Sequence, residues 1–145
     1  MSSKSNIRHL LILMYLFFGR SAKRGGKGKT RVLVFHHLDK SARFEKIIVS
    51  LKKSYSFISF DDFFSGNVCK DKINLIVAFD DGYKSWFTYG TQIFKNHTIQ
   101  PLLFVNSDFI GLTAQDAHEY CHKHINTWPE DSLTWVQLQE LKKAG

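Results

Sequence analysis

The stretch Ile73-Asn-Leu-Ile-Val-Ala-Phe79, closed by Asp80-Asp81-Gly82, constrains the fold more than any other part of the chain. A short run that is apolar nearly throughout reads as a buried strand. Arg31-Val-Leu-Val-Phe-His-His-Leu38 and Pro101-Leu-Leu-Phe-Val105 are of the same kind, and Tyr55 to Phe60 alternates like a strand. Helical patterns lie between them. Phe44 to Ser54 carries apolar residues at 44, 47, 48 and 51, the spacing of one helix face. Asp61 is placed to cap a short helix through Phe64, ended by Gly66. Ser85 to His97 predicts a helix with Trp86, Tyr89, Ile93 and Phe94 on one side. Ser107 to Trp128 is polar and His-rich, a loop or surface insertion with some helix. Thr134 and Gln137 form a capping box for a helix from Trp135 to Ala144, with Leu138 and Leu141 turned inward. Trp86, Trp128 and Trp135 are expected in the core rather than as sugar platforms.

Strands alternating with helices predict an α/β fold with a mainly parallel sheet or barrel. A chain of 145 residues suits one domain. Gly145 stands where a helix C-cap glycine leads into a next strand, so the expectation is an unfinished sheet.

The net charge of +7 is unevenly placed. Residues 1–31 hold eight Lys and Arg with no acid, and the remaining 114 residues carry −1. That asymmetry argues against a nucleic-acid binder, which spreads basic groups over a folded face. Lys4 and Arg8 ahead of the apolar run Leu10 to Phe18 have the layout of a secretory signal. Nine apolar residues rise only about 14 Å as a helix, too short to span a bilayer. The cleavage site is poor, which leaves an uncleaved anchor, an organellar presequence or an extra element of the fold as alternatives. The reading adopted is a signal or anchor segment and basic linker at 1–30, membrane association through that segment, and export to the envelope or beyond. Cys69 and Cys121 make no disulfide framework.

Phe79-Asp80-Asp81-Gly82-Tyr83 carries the chemistry. Catalytic groups of βα folds sit at the C-terminal ends of strands, where loops are free to hold them. Of two adjacent carboxylates there, one can ligate a metal and the other can act as a base on the metal-bound water. The plain alternative is an Asp-Gly turn without function. Phe60-Asp61-Asp62 is an internal control, since helix capping accounts for that pair. His118-Glu119-Tyr120-Cys121-His122 matches a zinc-protease pattern literally, but it lacks a third ligand at a fitting distance downstream, so a polar surface segment is the preferred reading.

Val77-Ala-Phe-Asp-Asp-Gly-Tyr83 resembles the first motif of the NodB-homology polysaccharide deacetylases, carbohydrate esterase family four. Val34-Phe-His-His37 resembles the strand that opens many members, and Phe44 to Phe60 their next helix and strand. Pro101-Leu-Leu-Phe-Val105 resembles the strand after the motif, and Leu133 to Gly145 the helix preceding the second one. The resemblance runs from about residue 31 to 145. It implies the N-terminal part of a distorted (β/α) barrel that removes N-acetyl groups from an amino-sugar polysaccharide with a divalent metal, zinc. Asp80 resembles the general base and Asp81 the metal ligand. His36 and His37 alternate on a strand, and His37 with Tyr83 is the expected substrate contact. The other metal ligands and the catalytic acid belong to motifs expected beyond Gly145, so this chain alone is expected to be weakly active or inactive. The rivals are a non-catalytic carbohydrate-binding remnant and the His118/His122 zinc protease.

Overall fold

A computed structural model describes residues 26–125 and 129–144. Its organising element is β3 (Ile73–Asp81), whose first seven residues are all buried. β1 (Thr30–Phe35) lies parallel to one edge of β3, with Phe35 opposite Phe79. β2 (Tyr55–Phe57) pairs with Ile73–Leu75, and β4 (Leu102–Val105) with Ala78–Asp81, both parallel. The register of β1 overlaps both of these, so β2 and β4 share the opposite edge of β3 in tandem. Parallel neighbours need crossovers. α1 (Ser41–Lys52) joins β1 to β2, α2 (Phe60–Phe64) joins β2 to β3, and α3 (Thr91–His97) lies between β3 and β4. The mixed α/β fold with a parallel sheet is the one the strand–helix alternation predicts; the described strands form an open sheet.

The helices cover one sheet face. Phe79 is fully buried there among Phe35, Phe44, Phe94 and Trp86, with ring centroids 5.4–5.9 Å away. Ile48, Ile93 and Val77 complete this core. On the other face Val32, Val34 and Phe104 are 47–55% exposed, and the register places them beside Ile76, Ala78 and Asp80.

Several local expectations are corrected. β1 ends at Phe35 rather than Leu38, and α1 begins at Ser41 rather than Phe44. The cap of α2 is Ser59, not Asp61: Ser59 Oγ accepts from the Asp62 amide at 2.9 Å, while the Asp62 carboxylate accepts from the Ser59 amide at 3.0 Å. These bonds from Ser59, with one from Asn67, hold the Asp62 carboxyl below its usual range. The helix over 85–97 is broken into a π-helical turn (Trp86–Gly90) and α3. That change of winding leaves Tyr89 exposed while Trp86, Ile93 and Phe94 are buried.

Residues 107–125 are no surface insertion. α4 (Ala114–Tyr120), capped by Thr113, runs into a π-helical turn (Cys121–Ile125), and Phe109, Ala117 and Cys121 are fully buried. α5 (Trp135–Ala144) has the expected capping box, with Thr134 and Gln137 bonded reciprocally at 3.0 and 3.2 Å. Leu141 is buried and Leu138 packs on the core, but Trp135 is 52% exposed, so it is not the core residue expected. Trp128 lies outside the described residues, as does the signal or anchor segment up to residue 25. No helix among the described residues is long and apolar enough to cross a membrane.

Candidate active site

Asp80 and Asp81 are the last two residues of β3, half-buried, at the C-terminal end of the sheet. Successive strand residues point to opposite faces, and this would separate the two carboxylates. Asp81 has φ +87°, a left-handed backbone that non-glycine residues rarely adopt and that clusters at functional sites. Its Oδ2 lies 3.0 Å from Nδ1 of His36, and the Asp81 side chain is 20% exposed. The Asp81 carbonyl accepts from the Asn106 amide at 3.2 Å. His36 follows Phe35, the partner of Phe79, so it stands next along the register, level with Asp80. An imidazole and one carboxylate therefore meet at one end of adjacent strands, with Asp80 next to that carboxylate in the chain.

The loop after β1 is pinned so that His36 stays there. The Trp86 indole N–H donates to the His36 carbonyl, and the Leu38 amide donates to Ser85 Oγ at 3.0 Å in a buried contact. Both anchors lie in the turn that follows the acidic pair. Gly82 makes that turn with φ +105°, and a Cβ there would stand 2.4 Å from Ile110 Cδ1. A strap before α5 fixes the turn from outside. The Leu133 amide donates to the Gly82 carbonyl and the Lys84 amide to the Asp131 carbonyl, both at 2.9 Å, and Tyr83 bridges to Ser132.

His36 rather than His37 touches Asp81. His37 is exposed and faces Glu130, whose carboxyl is pushed up by burial, an effect that His37 partly counters and Asp131 reinforces. Tyr83 is 1% exposed and packs edge-on to Phe109 at 5.7 Å, so its ring is a core group and not the expected substrate contact. Asp61 and Asp62 belong to α2 and its cap. In the protease pattern, Glu119 pairs with Lys123, and His118 Nε2 lies 3.3 Å from Asp131 Oδ1. Sequence reasoning did not single out His36, Asn106 or the strap. The His-His pair signalled the first, while nothing local signalled the others.

Among the described residues no three His, Cys, Asp or Glu side chains are grouped to hold a metal ion. A catalytic zinc site takes three protein ligands, so the described residues do not complete one. Two cavities are present, neither lined by Asp80 or Asp81. One, of 450 Å³, is apolar and lies between β4 and α5, lined by Leu103, Val105, Trp135, Leu138 and Leu141. The other, of 300 Å³, lies between Phe57–Ser59 and Thr98–Gln100.

No protein-family profile matches the chain, and no curated protein does. Solved structures do. IcaB from Ammonifex degensii superposes with a TM-score of 0.64 at 20% identity, over 83% of this chain and 50% of that one. The BpsB deacetylase domain from Bordetella bronchiseptica gives 0.52 at 19%, over 83% and 53%. Streptococcus pyogenes deacetylase PplD, solved with acetate, gives 0.50 at 16%, over 82% and 53%. The chain spans about half the length of these structures, and over most of its own length it has the fold of the polysaccharide deacetylases.

Proposed function

We propose that this chain belongs to an exported NodB-type polysaccharide deacetylase that hydrolyses N-acetyl amides of an amino-sugar polymer. The observation that carries this reading is the meeting of His36 with Asp81 at 3.0 Å, beside Asp80, at the end of the central strand. In this reading Asp80 takes a proton from the attacking water. Attack forms a C–O bond at the carbonyl carbon, collapse of the tetrahedral centre breaks the C–N bond, acetate departs, and the amine nitrogen takes up a proton. His36, held to Asp81 through Nδ1, delivers it from Nε2. The acid was expected beyond Gly145; His36 supplies the group within this chain. His37 and the half-buried Glu130 are the groups we assign to contact sugar hydroxyls. A zinc ion, when bound, polarises the carbonyl as a Lewis acid. Asp81 is the donor we assign to it, with the remaining donors outside the described residues. Those donors and further strands belong to the distorted barrel of which this sheet is one part. The N-terminal segment directs the protein to the envelope or beyond and associates it with the membrane.

Calorimetry and acetate release with N-acetylglucosamine pentamer and zinc test this. The full chain is expected to bind the N-acetylated oligomer in preference to its deacetylated form. Acetate release by this chain alone stays near background, because three metal donors are not assembled among the described residues. Asp81→Ala and His36→Ala abolish the preference. Failure to bind either oligomer refutes the reading. Binding unchanged by Asp81→Ala identifies a non-catalytic carbohydrate-binding domain instead, the second reading that the incomplete donor set favours.

A further inference from the structure

α2 is a helix that buries nothing: none of its five residues is buried, although three of them are phenylalanines. Phe60, Phe63 and Phe64 stand at i, i+3 and i+4, one face of a helix. Their exposures are 45%, 46% and 84%, and the ring of Phe60 lies 6.4 Å from each of the other two. Together they present on the order of 300 Å² of aromatic surface, the size of patch that marks an interaction site on a soluble domain. The Ser59–Asp62 capping box holds the helix rigid, and Asn67 Nδ2 donates to Asp62 Oδ1 at 2.8 Å, fastening the following loop to it.

That loop leads to exposed Lys70 and Lys72. The Lys72 carbonyl accepts from the Gly28 amide at 2.9 Å, which brings Lys27 and Lys29 alongside, with Arg31 next on β1. Asp61 and Asp71 oppose these five cations, while the Asp62 carboxylate is engaged in the cap. The 25 residues before Gly26 add five more Lys and Arg and no acid.

We propose that α2 is a membrane-docking element: Phe60, Phe63 and Phe64 enter the interfacial region of an anionic lipid surface, and the lysines flanking the loop meet its headgroups. Exposed aromatics beside a basic cluster suit such a surface, and stable attachment takes two signals. The N-terminal segment is the other. A neutral polysaccharide or an uncharged protein groove has no need of the basic flank, and aromatic surface together with that charge favours the lipid interface.

Vesicle co-sedimentation of the full chain tests this. Phosphatidylcholine alone is compared with an equal mixture with phosphatidylserine. Replacing all three phenylalanines by serine should weaken binding at least about tenfold, from the lost burial of aromatic surface. Lys70→Gln with Lys72→Gln should weaken it about fivefold per charge removed, on the mixed vesicles only. A Phe64→Trp variant separates this helix from the N-terminal segment, because lipids brominated on their acyl chains should quench the added indole beyond the wild-type background. A bound chain without that added quenching overturns the proposal, as does a triple serine variant that binds like wild type. A concentration-dependent emission shift of the added indole without vesicles would identify a second copy as the occupant and equally overturn it.

Discussion

Replacing Gly82 by alanine isolates the geometry on which the acidic pair depends. The backbone there has φ +105°, and the new Cβ would meet Ile110 Cδ1 at 2.4 Å and Cγ1 at 3.6 Å. A left-handed conformation costs an L-residue about 1–2 kcal/mol, and forcing a methyl into a packed contact adds about 1–3 kcal/mol. A stiffer unfolded chain returns about 0.4–1 kcal/mol. The expected net loss is about 1–5 kcal/mol, a large share of the stability of a small domain. Ile110→Val removes only Cδ1, the clashing atom, and costs about 0.5–1.5 kcal/mol by itself. In that background Gly82→Ala should lose its steric part and cost only about 0–1.6 kcal/mol, a coupling of about 1–3 kcal/mol between the two sites. Urea unfolding followed by tryptophan fluorescence measures all four corners of the cycle, with the buried Trp86 as reporter. An equal penalty with and without Cδ1, or a penalty below about 1 kcal/mol in the wild-type background, refutes the account of this turn.

Two further outcomes follow from the electrostatics and the open face. Because burial raises the Glu130 carboxyl above 4.5, the native chain holds that proton more tightly than the unfolded one. Stability contributed there declines as pH rises from 4.5 through the raised value. Glu130→Gln should flatten the Tm–pH curve in this window, and an unchanged slope as pH rises above 4.5 contradicts it. Val32→Thr with Val34→Thr should reduce self-association in light scattering, since both side chains stand on the uncovered sheet face; equal scattering from the variant speaks against that face as the sticky one.

Where a signal is local, the residues declared the structure. The run at Ile73–Phe79 is buried throughout, and the box formed by Thr134 and Gln137 starts α5 at Trp135. Other features depend on partners distant in the chain. Ser59 displaces Asp61 as a cap because the side-chain exchange with Asp62 satisfies two amides, whereas the Asp-Asp pair alone looked sufficient. Phe109, Ile110, Ala117 and Cys121 are sparse among polar neighbours, yet tertiary packing gathers them into the core. The acidic pair was legible as a motif at a strand end. The positive φ of Asp81 was not, and that conformation brings its carboxylate to His36. The choice between His36 and His37 turned on where β1 ends, which strand alternation alone does not say.

The strap also sets an order of events. Lys84 and Asp131 are 47 positions apart, so the turn after the acidic pair lacks its hydrogen-bonding template until the polypeptide past Leu133 has been synthesised and has closed back onto it. Contacts of such long range form late and slowly. The geometry of the turn after the acidic pair is therefore among the final features a nascent molecule acquires, and a ribosome-bound intermediate halted before the strap would hold a formed sheet, Asp80 and Asp81 included, with the Gly82–Lys84 turn not yet fixed.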